Sequence, residues 1–152
     1  CYPHYFAADV KSGKINILCT DGGTHTAEHN GRIVIKEFDG KTKIYADGVL
    51  AETLETGEIK NVSYENAENI SVFSGITCIP YEFYVENRKI KTYADNENAV
   101  MYVCGYENGK LAEVKTAALQ NRKFSADFSG KEKCFVFERE SLKPLCDVFE
   151  IK

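Results

Sequence analysis

Short runs rich in β-branched and aromatic residues alternate along this chain with turns built on glycine. The turn signals are Asp21-Gly22-Gly23, Asn30-Gly31, Asp39-Gly40, Asp47-Gly48, Asn108-Gly109 and Ser129-Gly130. Asn-Gly and Asp-Gly readily take the positive φ that tight hairpins demand. The runs between them predict strands over 14–20, 32–38, 42–46, 49–53, 59–64, 70–73, 81–85, 89–93, 99–106, 110–117, 122–128, 132–138 and 145–150. Several alternate with period two: Tyr81, Phe83 and Val85 share one face, and Phe124, Ala126 and Phe128 another. In 99–106 both faces are apolar, which predicts a central strand. Residues 112–120 form the one weak helical window, and Val114 and Thr116 argue for strand in its first part. Evenly spaced short strands of this kind predict an all-β, antiparallel β-sandwich fold. Pro80 interrupts ladder bonding and forces Ile79 extended, so a seam is expected there, between 1–78 and 79–152. The expectation is two small stacked sandwiches.

The chain has 152 residues, of which 43% are hydrophobic, enough for a packed core. A net charge of −4 with no Lys/Arg cluster gives nucleic acid no electrostatic footprint. No apolar run approaches the ~20 residues that span a bilayer. No signal peptide is visible, which suggests a targeting signal upstream of Cys1. The six cysteines include no C-x-x-C pair, so zinc-ribbon and thioredoxin readings fail. Cys19, Cys78, Cys104 and Cys134 fall in apolar runs, and buried reduced thiols are favoured over a disulfide framework.

Residues 81–152 resemble a known module. The strand Ala99–Tyr106 is followed by Asn108-Gly109-Lys110, then by Lys115-Thr116, Val136-Phe137 and Leu142-Lys143-Pro144-Leu145. That cadence is similar to the Ig-like β-sandwich modules near the C-terminal ends of large secreted and surface proteins of anaerobic Gram-positive bacteria. It departs from them at Glu138, where such modules usually carry Trp. The resemblance implies an accessory part of a carbohydrate-active or adhesive protein, located outside the cell or at its surface. More loosely, 38–50 resembles a hairpin of laminin-G or concanavalin-type folds.

Candidate chemistry is sparse. His25, Glu28 and His29 match H-x-x-E-H, whose zinc chemistry needs both imidazoles on one helical face. Glycine turns on either side leave little room for that helix. Asp95, Asn96 and Glu97 form an oxygen-rich loop of the kind calcium favours. By alternation, Tyr45, Tyr64, Tyr84 and Tyr93 are expected to point outward, where rings can stack on sugars. No G-x-S-x-G elbow or phosphate-cradling loop occurs. The sequence therefore predicts a non-enzymatic, monomeric accessory region that spaces domains or binds carbohydrate weakly. Its partners would be polysaccharide or neighbouring domains of the same polypeptide. The alternatives are a structural or adhesin repeat that binds a protein, and a metal-assisted hydrolase fragment using His25 and His29.

Overall fold

A computed structural model describes residues 2–38 and 41–151, so the expected turn at Asp39-Gly40 lies outside the described residues. Among them every regular element is a strand, and every strand pair of known register is antiparallel. The chain divides into two compact units, Cys1–Cys78 and Ile79–Lys152.

The first unit holds β1 (Tyr2–Val10), β2 (Lys14–Cys19), β3 (Thr24–Glu28), β4 (Gly31–Phe38), β5 (Lys41–Ala46), β6 (Val49–Leu54), β7 (Ile59–Tyr64) and β8 (Ala67–Thr77). Five of these lie in the order β6-β5-β4-β1-β8, and three in the order β3-β2-β7. Residues of both groups meet in one core, among them Phe6, Ala8, Ile15, Ile17, Ile33, Ile35 and Ile44. The sequence reading missed β1 and β3. In β1 the residues Tyr5, Phe6, Ala7 and Ala8 are all buried, so no alternation marks the strand. Its two alanines also favour sheet weakly. Gly31, at φ +98°, begins β4 where a Cβ would meet the Asp47 carboxylate at 2.6 Å. That carboxylate accepts the Arg32 N–H at 2.9 Å, tying the start of β4 to the β5–β6 turn.

The second unit holds β9 (Tyr84–Glu86), β10 (Lys89–Tyr93), β11 (Ala99–Glu107), β12 (Lys110–Ala117), β13 (Lys123–Asp127), β14 (Glu132–Glu138) and β15 (Phe149–Glu150). Three lie in the order β13-β10-β9 and four in the order β12-β11-β14-β15. Both groups feed one core that includes Phe83, Val85, Ile90, Met101, Val103, Phe124, Cys134 and Val136. The rings of Phe83 and Phe149 stack 4.9 Å apart within it. The expected strand 81–85 shrinks to β9 because Tyr81 takes φ +57°, which breaks extended pairing just after Pro80. Residues 112–120 contribute no helix; β12 runs through their first part. As expected, β11 is flanked on both sides, by β12 and β14.

Candidate functional site

Of the four tyrosines, Tyr45 and Tyr64 belong to the first unit and Tyr84 and Tyr93 to the second. Tyr45 is 2% exposed, and the Lys36 ammonium sits 4.9 Å from the centre of its ring. The alternation reading put this ring in solvent. Instead, Tyr45 shares a buried face with Lys36, whose ammonium also lies 4.9 Å from the Tyr2 ring. With the Tyr5 ring at 6.0 Å, three rings surround the cation and offset part of the desolvation of burying it. Tyr64 packs against the first core, and burial pushes its phenol up. Tyr84 and Tyr93 are half-buried and share a face of β9 and β10, because Tyr84 stands opposite Lys91, two residues before Tyr93.

In the candidate cation loop, two of the three expected ligands, Asn96 and Glu97, are engaged within the protein. Asn96 Oδ1 accepts the Asn98 N–H at 2.8 Å, and Glu97 pairs with Arg122 at 3.1 Å. The H-x-x-E-H residues fall on and just after β3. Four residues of extended chain span roughly 13 Å, so His25 and His29 do not converge as they would on a helix. His29 instead contacts Glu52 at 3.1 Å. No group of three or more His, Cys, Asp or Glu suited to a metal occurs among the described residues.

A second polar cluster, not foreseen, surrounds Glu37 in the first unit. Its carboxylate accepts the Ile59 N–H at 3.1 Å and lies 3.9 Å from His4 Nε2, which is 3.8 Å from Glu58. Thr42 and Thr56 hydrogen-bond beside it. Cys19 is fully buried, and that burial raises its thiol pKa, with the Asp21 and Glu37 carboxylates adding to the effect. A thiol held protonated is a poor nucleophile.

The cysteines differ from expectation at one position. Cys19, Cys104, Cys134 and Cys146 are free thiols, whereas Cys78, just past β8, is disulfide-bonded. Burial pushes Cys134 up to about 12 from an ordinary value of 9.0, with Glu132 adding to the shift. The folded chain therefore holds this proton more tightly than the unfolded chain does. Its contribution is whole below about pH 9 and drains away as the pH climbs towards 12. By pH 10 roughly 1 kcal/mol should be lost. Urea unfolding at pH 8 and pH 10 checks this: Cys134→Val should lose less stability across that interval than the wild type.

The strongest candidate surface is the outward face of β11 and β14. Met101, Val103, Cys134 and Val136 point into the core, so Tyr102, Tyr106, Lys133, Phe135 and Phe137 point the other way. Tyr102, Phe135 and Phe137 are half-buried, and Tyr106 is 38% exposed. Phe135 and Phe137 lie nearly parallel with centroids 6.2 Å apart, and Tyr102 is 6.1 Å from Phe137. At one end a groove of about 550 Å³ is lined by Tyr106, Lys131, Lys133, Glu150 and Ile151. Lys133 pairs with Glu150 at 2.5 Å and stands 5.9 Å from the Tyr106 ring centre. Glu132, almost wholly buried, also lines this groove, and its carboxylate accepts the Ser129 N–H and hydroxyl at 3.3 Å. Rings flanked by hydrogen-bonding charged groups can stack on an apolar ligand face and fix its orientation.

Compared with protein-family models, with curated proteins and with solved structures, the chain gave no match in any of the three.

Proposed function

We propose that the chain is a non-catalytic accessory region of an extracellular bacterial protein, binding polysaccharide weakly through the β11–β14 face. In this reading each unit is a small β-sandwich, the second Ig-like, and the region stands beside a catalytic domain. The observation that carries it is the row Tyr102, Tyr106, Phe135 and Phe137, running into a groove edged by Lys131, Lys133 and Glu150. Sugars present flat C–H faces to rings and hydroxyls to charged side chains, and this face offers both. The disulfide at Cys78 supports an oxidising, extracellular setting.

Affinity electrophoresis through gels containing soluble polysaccharides tests the reading. The wild type should be retarded by at least one glycan. Losing the Tyr106 stack, worth about 1.5 kcal/mol, should weaken binding about tenfold in Tyr106→Ala. Tyr106 is exposed, so the variant should melt with the wild type. Unretarded wild type, or a Tyr106→Ala variant that binds as well, would overturn the assignment.

A further inference from the structure

The strand β8 is the edge of the β6-β5-β4-β1-β8 order and, among the described residues, pairs only with β1, through Tyr2↔Thr77 to Val10↔Ala67. Natural edges are usually blunted by charge, proline or a cover. This one carries Ile70 at 55%, Val72 at 55%, Phe73 at 43% and Ile76 at 87% exposure. Ile70 and Val72 lie outside the core cluster, although Val72 stands opposite core Phe6. Between 69 and 77 no side chain is charged; the nearest charge, Glu68, is paired with Lys11. Such an edge gives a charged peptide nothing to pair with and offers a neutral, apolar strand a backbone ladder plus side-chain burial.

We infer that a second copy of this chain docks there, its β8 antiparallel to the first across a two-fold axis at Val72. The backbone itself selects that register. Positive φ occurs at Asn69 (51°) and Gly75 (91°), which lie equally far on either side of Val72. These irregularities bound the extended stretch of 70–74, of which 71–74 pair with β1 without a register shift. In the Val72-centred register each extended stretch meets the other in full, and Asn69 of one copy faces Gly75 of its mate. Opposed residues share a face, so the two Val72 side chains meet and each Ile70 sits opposite Ser74. The two Glu68 carboxylates fall at opposite ends of the ladder, against Ile76, so no like charges are apposed in a chain of net charge −4. The interface is isologous and closes on itself. This inference is independent of glycan binding, which uses the second unit.

Sedimentation and site-directed cross-linking of the full chain test it. The 17.1 kDa chain should double in mass with rising concentration, and Val72→Lys, which sets two ammonium groups on the axis, should abolish the doubling. Val72 is half exposed, so an unchanged melting curve for the unassociated Val72→Lys chain shows that folding is intact. Under mild oxidation Val72→Cys should form a disulfide dimer, because opposed Cβ atoms lie within reach of a bond. Ile76→Cys should not, although position 76 is the more exposed. A wild type that stays monomeric at about 1 mM, the strength at which even a weak ~−4 kcal/mol contact half-saturates, would overturn the inference. So would Val72→Cys and Ile76→Cys cross-linking to the same extent. Capture of a different protein's strand by an otherwise monomeric chain counts against it as well.

Discussion

Phe124→Ala should remove about 3–5 kcal/mol of stability from the second unit, a large share of the ~5–15 kcal/mol that holds an ordinary domain together. Phe124 is 1% exposed in β13, paired with Thr92 of β10, and its ring belongs to the core that also contains Met101 and Val136. Truncation forfeits the transfer of a large ring from water and leaves a cavity that rigid sheets fill poorly. Nine tyrosines and no tryptophan make tyrosine fluorescence the natural probe of urea unfolding. Hydrogen exchange should place the loss of protection in β9, β10, β11 and β13. Ile76→Ala is the contrast: at 87% exposure it should shift stability by no more than about 0.5 kcal/mol. Equal effects at the two positions would contradict the burial described above.

Tyr45→Ala should be nearly as damaging, again about 3–5 kcal/mol, for a different combination of reasons. The residue fills volume on a buried face, and its ring is one of those surrounding the Lys36 ammonium. Removing it opens a void and strips a buried cation of a compensating quadrupole. Tyr45→Phe keeps ring and face and should lose no more than about 1.5 kcal/mol. Thermal melts of the two variants separate packing from hydroxyl chemistry. Polysaccharide binding should survive in Tyr45→Phe, since that ring is inaccessible, whereas Tyr106→Ala should impair binding without moving the melt.

The strand plan was legible wherever turn chemistry was glycine-based and one face was polar. Asp47-Gly48 and Asn108-Gly109 show why: all four residues take positive φ, as the dipeptides require. Asn87-Arg88 and Asn121-Arg122 adopt the same left-handed pair without glycine, and so gave no signal. The strand β1 was invisible because both of its faces are buried, and β3 because its Thr-His-Thr run is polar at every position, with Ala27 its one apolar residue. The site was legible only in part. Period two along 99–106 sets Tyr102 and Tyr106 on one face, apart from Met101 and Val103, and Met101 and Val103 do enter the core. Being apolar on both sides was taken to mean central. That inference holds for the ladder, but it hid the fact that one side keeps its rings half in solvent. The error at Tyr45 has a similar root: alternation assigns faces, and burial is decided by what the facing strands supply. Here the neighbouring strand β4 supplies Lys36 on the same face.

The first unit places its earliest strand one in from the edge strand β8. Among the described residues β1 finds its strand partners in β4 and β8, and the Ala67–Thr77 segment of β8 is the last strand of the unit to be made. While the ribosome is still working, the Tyr5-Phe6-Ala7-Ala8 stretch can join β4 once that strand emerges, but its other hydrogen-bonding rim stays open until β8 follows. Nascent chains at this stage are vulnerable to neighbours on the same polysome, and the danger ends only when the final strand closes the ladder. A slow, late-committing first half is the kinetic signature that this topology imposes.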